Sequence, residues 1–160
     1  MPAPRPPAFR ALLSYEVNST SDVLRRSAAL RFRREHDVSL MEWRTLALID
    51  SLRPVTLRTL TDHANVDKAQ TSRIVSALVE RGLVARRAHS TDARSAELDL
   101  TPEGLRTLKG LVRGAQARDR ALRSVLSAEE AAQLVASLAR LKARALELIA
   151  EEEALQRSGG

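Results

Sequence analysis

The chain contains no cysteine, which excludes disulfides, thiolate metal sites and thiol redox sensing. Aromatic residues are only 2% of its 160 residues, while Ala, Leu and Arg abound. Those three lose little rotamer freedom in a helix, so the balance favours helices over a β-sandwich. No unbroken apolar run reaches the about 18 residues of a membrane span. The proline-rich start, Met1 to Pro7, lacks the apolar segment of a signal peptide, so a cytoplasmic protein is expected. There is no Gly-rich phosphate loop, no nucleophile elbow and no carboxylate pair in surroundings that shift a pKa. An enzyme is therefore not expected, nor is a cofactor. The histidines His36, His63 and His89 are far apart and none has a partner at i+3 or i+4, so no metal site is expected either.

Apolar residues make up 44% and charged residues 29% of the chain, the balance of a compact soluble domain. The formal net charge of +6 favours association with a polyanion, because each neutralised phosphate releases condensed counterions. Basicity alone does not separate DNA from RNA or an acidic membrane.

Residues 1–8 carry four prolines and no apolar period, which reads as a tail. From Phe9, the residues Leu13, Val17, Leu24, Ala28 and Phe32 recur at multiples of three or four, predicting one long or broken helix over 9–36. Ser39-Leu-Met-Glu42 has capping-box spacing, with Val38 and Trp43 placed as a hydrophobic staple. A second helix is predicted over about 40–52, ended by Pro54. Thr56 caps a short third helix through Leu57, Leu60 and Ala64. Asp67-Lys-Ala-Gln70 repeats the capping spacing, and Ile74, Val75, Leu78 and Val79 form one face up to Gly82, a C-terminal cap. The period then changes to alternation at Val84–Ala88 and Ala96–Leu100, a two-stranded hairpin around His89–Ser95. Thr101-Pro102 opens a fifth helix running to about Ser124.

Ser127-Ala-Glu-Glu130 is a further capping box, followed by a heptad seam of Ala131, Leu134, Leu138, Leu141, Ala145 and Leu148. The pattern alone fits packing on the chain's own helices as well as on a second copy. Two long terminal helices around a small module leave more apolar stripe than one chain readily covers, which favours the second copy.

Helix, tight turn, helix and β-ribbon in that order describe a winged helix-turn-helix: a mainly α fold with a small β-wing. The expected organisation is a tail (1–8), an N-terminal dimerisation helix (9–36), a DNA-binding lobe (37–100), C-terminal helices completing the dimerisation lobe (101–153) and a tail (154–160). The first half of a recognition helix meets base edges, and here that half carries Lys68, Gln70, Thr71, Ser72 and Arg73. Gln70 suits an adenine edge, Arg73 suits guanine or phosphate, and Thr71 and Ser72 suit either. Between Arg53 and Arg94 there are eight basic residues against four acidic ones, so most of the positive excess falls on this module. Arg53 and Arg81 read equally well as solvated surface residues. In the wing, Arg86, Arg87 and Arg94 are candidates for DNA, Arg94 for a narrow minor groove. Asp92 is placed to hold a wing arginine, or is a turn residue.

At these residues the chain resembles the MarR family of bacterial regulators. The motifs are Asp67-Lys-Ala-Gln-Thr-Ser-Arg73, Leu78-Val-Glu-Arg-Gly-Leu83, and Asp92-Ala-Arg-Ser95 running into Leu98-Asp-Leu-Thr-Pro-Glu-Gly104. Ala93 stands where the family often has a charged residue. The resemblance implies a homodimer with interlocked terminal helices reading a pseudo-palindromic double-stranded site. Its recognition helices would lie roughly 34 Å apart. It also implies a repressor released by a small ligand, often a phenolic or aromatic carboxylate. Tyr15, Arg26, His36, Trp43 and Arg44 are the candidate ligand residues, with Trp43 more readily read as a core residue through its staple position. Two other functions fit the same pattern: an architectural DNA-binding protein without a ligand, and a helical module binding a different protein.

Overall fold

The computed structural model describes residues 8–64, 67–88 and 96–158. A short 3-10 turn (Ala8–Ala11) leads into α1 (Leu13–His36), α2 (Leu40–Ser51), β1 (Val55–Thr56) and α3 (Leu57–Ala64). Then come α4 (Lys68–Glu80), β2 (Val84–Ala88), β3 (Ala96–Leu100), α5 (Pro102–Arg123) and α6 (Ala128–Ser158). This is the mainly helical winged-helix architecture expected from the sequence, with α1 an uninterrupted helix.

Local chemistry sets most boundaries. The Ser39 hydroxyl accepts the Glu42 N–H at 3.2 Å while the Glu42 carboxylate accepts the Ser39 N–H at 2.7 Å, a complete capping box at the start of α2. The Thr56 hydroxyl accepts the Thr59 N–H at the start of α3, and the Asp67 carboxylate accepts the Gln70 N–H at the start of α4. Gly82, at φ +68°, ends α4: its N–H reaches the Val79 carbonyl and that of Leu83 reaches Leu78. That pair of bonds is a Schellman closure, which needs a left-handed residue at that point.

The sheet has the order β1-β3-β2 and is antiparallel throughout, with Val55 opposite Leu98 and Arg86 also opposite Leu98 on its other side. The hairpin strands lie where the alternation placed them. The third strand, β1, was not expected, because two residues cannot show an alternation and their pairing with β3 is a tertiary fact.

The chain divides into two compact units, Met1–Gln116 and Ala117–Gly160. The core of the first joins Phe32 of α1, Leu46 and Ile49 of α2, Leu60 of α3, Val75 and Leu78 of α4, and Leu98 of β3. It also includes Leu108 and Leu111 of α5. The compact lobe thus extends beyond 37–100 at both ends. Of the periodic positions of α1 only Ala28 and Phe32 are buried; Leu13, Val17 and Leu24 are exposed. Two glycines permit close approaches in this unit. A Cβ on Gly104 would lie 2.0 Å from the Leu83 carbonyl oxygen, and one on Gly110 would lie 2.4 Å from the His36 ring.

In the second unit, the Ser127 N–H is accepted by Glu130 and the Glu130 N–H by the Ser127 hydroxyl, the expected cap of α6. The helix runs to Ser158, five residues past the expected end. Along its seam Ala131 is buried, but Leu134, Leu138, Leu141 and Leu148 stay 40–49% exposed in the single chain.

Candidate nucleic-acid interface

Helix α4 carries one buried stripe, Thr71, Val75 and Leu78, and this stripe fixes which residues face out. Lys68 and Arg73 are exposed; Gln70 and Ser72 are half-buried. Thr71 leaves the set of base-contact candidates: it is 1% exposed and its hydroxyl is donated to the Asp67 carbonyl at 3.0 Å. A β-branched residue four positions before the next buried residue, Val75, completes the apolar stripe, and the back-bond satisfies its one polar group. The polar character of Thr71 masked its place in the helical period.

Lys68 and Ser72, one turn apart, line a cavity of about 620 Å³ with Arg58 and Asp62 of α3 and with Arg86 and Leu98 at the root of the wing. Among the described residues Lys68, Arg58 and Arg73 form no ion pair. Their charge adds to the positive end of the α4 dipole. This side of the lobe is thus a concave, cationic surface beside the outward face of α4.

The wing arginines are held from within the lobe. Arg86 donates to the Ser76 hydroxyl of α4 at 3.1 Å, and Arg87 lies 3.5 Å from the Asp99 carboxylate. Asp99 also faces Arg53 at 3.7 Å, and Arg53 pairs in addition with Asp50. Asp99 was not among the sequence candidates; its role depends on the β2–β3 register, which places its side chain on the same face as Arg87. The two wing-tip candidates, Asp92 and Arg94, lie outside the described residues, as does His89. Arg53 and Arg81 are not free surface charges: Arg81 reaches Glu42 at 2.9 Å and the Asp37 carbonyl at 2.8 Å.

The five ligand candidates do not converge. Arg26 and Arg44 share a cavity of about 440 Å³ between α1 and α2, lined also by Asp22, Arg25, Leu40 and Met41. Tyr15 instead meets Phe9 edge-on at 5.4 Å. His36 lies over Gly110 of α5. Trp43 packs on Phe32 with ring centroids 4.9 Å apart, as its staple position implied, and its indole N–H has no partner among the described residues. Asp22 and Arg25 were not among the sequence candidates, because polar residues on the outer side of α1 carry no pattern that marks a cavity. Among the described residues no cluster of three His, Asp or Glu is disposed to hold a metal, and no helix is long and apolar enough to cross a membrane.

Residues 36–95 match the model of the MarR family. No curated protein matches the chain in sequence. Among solved structures, the chain resembles a MarR/EmrR family transcriptional regulator from Acinetobacter sp. ADP1 at 22% identity, over 84% of this chain and 94% of that one, with a TM-score of 0.69. It resembles the S. aureus MepR–DNA complex at 19% identity, over 83% and 98%, with a TM-score of 0.74. The apo form of wild-type MarR from E. coli is similar at 21% identity, over 81% and 96%, with a TM-score of 0.69. The proteins of this family are transcription regulators, not enzymes.

Proposed function

We propose that this chain, whose residues 36–95 match the MarR family model, is a sequence-specific regulator that binds double-stranded DNA as a homodimer in the cytoplasm. The observation that carries the reading is the sorting of α4: Thr71, Val75 and Leu78 anchor it in the core while Lys68 and Arg73 project from its first turns. Such a helix is rigidly held and presents its polar side to a major groove. The neighbouring cationic concavity fits a phosphate backbone, which supplies affinity, while Gln70 and Arg73 supply base discrimination. That the S. aureus relative of the same fold is in complex with DNA supports the same use here.

The exposed apolar faces of α1 and of α6 support the dimer. Leu13 and Val17 of α1 remain open in one chain, as do Leu134, Leu138 and Leu141 of α6, and exposed apolar patches on a helix mark association faces. Two-fold pairing would present two α4 helices to half-sites about one helical turn apart.

We further read the chain as a repressor released by a small anion. The cavity at Arg26 and Arg44 supports this: Arg25 is tied to Asp22 at 2.5 Å, while Leu40 and Met41 supply apolar wall. A flat aromatic carboxylate fits this mixture of guanidinium and apolar surface. To release DNA it must bind better to the conformation whose α4 helices no longer match the site.

The test is selection of duplexes from a random pool at near-physiological salt. Enrichment of an inverted repeat with half-sites one helical turn apart is the expected result. Salt-sensitive retention without any enriched sequence would instead make the protein architectural, and no retention would point to a protein partner. A hydroxybenzoate then tests the cavity: it should raise the Tm of the wild type and not that of Arg26→Ala.

A further inference from the structure

Arg81 follows the last residue of α4, outside the stretch that can meet DNA bases, and both arms of its guanidinium are engaged. One terminal nitrogen donates to the Glu42 carboxylate at 2.9 Å and the other to the Asp37 backbone carbonyl at 2.8 Å, partners 39 and 44 residues away. Each acceptor is itself fixed. Glu42 offers its second oxygen to the Ser39 N–H at 2.7 Å, so one carboxylate serves both the cap of α2 and the end of α4. Asp37 ends α1 in the left-handed conformation, φ 49°, with its own N–H on the Arg33 carbonyl. Its side chain pairs with Arg33 at 2.9 Å.

We infer that Arg81 is a positioning residue: it pins the C-terminal end of α4 to the α1–α2 corner and thereby sets the angle at which the other end of α4 is offered to DNA. The inference rests on the proposed DNA-binding role of α4. Core packing of Val75 and Leu78 resists translation of the helix but tolerates some tilt; a charge-assisted fork at one end restricts that tilt. Arg81 also immediately precedes Gly82, where the chain turns into the wing strand β2, so the clamp holds the joint between recognition helix and wing. Ser39, Leu40 and Met41, on the turn leading to Glu42, line the cavity that holds Arg26 and Arg44.

The experiment compares wild type, Arg81→Ala, Arg81→Lys, Glu42→Gln and the Arg81→Ala/Glu42→Gln double variant, well below the lowest Tm. The readouts are affinity for the wild-type-selected duplex, its salt slope, and amide hydrogen exchange of residues 78–83 in the free protein. Arg81→Ala and Glu42→Gln should each weaken binding about five-fold, and the double variant no more than the worse single, as for two halves of one interaction. The salt slope should not move. Arg81→Lys keeps the charge but cannot span a carboxylate and a carbonyl as a fork does, so it should recover little. Exchange at 78–83 should speed up in all variants.

A salt slope reduced by about 0.9 in Arg81→Ala alone would make Arg81 a phosphate contact and overturn the inference. So would additive losses, tighter binding by Glu42→Gln, or full recovery by lysine. If the wild type selects no duplex, the DNA-binding reading fails on its own account. Hydrogen exchange then still decides the clamp, since unchanged exchange in Arg81→Ala would show that Arg81 does not hold the helix end.

Discussion

Single residues carry opposite duties within one turn of α4. Thr71 faces the core and Arg73 faces out, so Thr71→Val should leave the base preference of the selected site unchanged, which a repeat selection checks. Arg73→Ala should cost about 1–3 kcal/mol of specific binding, read by titration against the selected duplex. Gly104 illustrates a different constraint. Its missing side chain lets the first turn of α5 approach the Leu83 carbonyl, where a Cβ would sit 2.0 Å from the oxygen. The obstacle is backbone and cannot rotate away, so Gly104→Ala should lower stability by about 1–3 kcal/mol, visible in chemical denaturation. Little of this was legible at the level of residue type. Thr71 reads as polar until the helix has a known inward face. Arg53 and Arg81 read equally well as surface charges, and Asp99 was not singled out, because partners on other elements leave no local pattern; Arg81 and Glu42 are 39 residues apart.

At the scale of elements, legibility follows the range of the forces involved. Capping boxes, Pro102 and Gly82 act within a few residues, and the observed starts of α2, α4, α5 and α6 fall where those signals stand. Strand β1 and the penetration of α1 and α5 into the core depend on distant contacts and left no comparable pattern. The start of α2 also carries a titration. Burial acts to raise the Glu42 carboxyl, and the Ser39 backbone N–H, the Ser39 side chain and Arg81 together outweigh it, holding the group below its ordinary 4.5. A lowered folded pKa means stability that is fully present above the ordinary carboxylate range and lost as pH falls through the lowered value. Denaturation midpoints should therefore fall below about pH 4.5 in the wild type, and more gently in Glu42→Gln. Identical acid profiles for the two proteins would show that this carboxylate adds no pH-dependent stability.

For the whole molecule, the question is what covers the apolar faces that one chain leaves open. The heptad spacing of Ala131 to Leu148 was legible in the sequence, but its partner was not, because one period serves a self-packed helix and a second copy equally well. The exposure of Leu138 and Leu141 argues for the second copy. The Leu138→Glu/Leu141→Glu double variant should be monomeric by light scattering, since charges would enter a buried seam, and should lose specific DNA affinity with the dimer. A variant that stays dimeric would place the interface elsewhere.

If α4 reads bases twice in a two-fold complex, the random-pool selection run in parallel on wild type and Arg73→Ala shows it most directly. Both proteins should select an inverted repeat with the same spacing, and Arg73→Ala should lose preference at a matching position in each half-site. The same preference at every position in both proteins, or a wild-type site without two-fold symmetry, would contradict it.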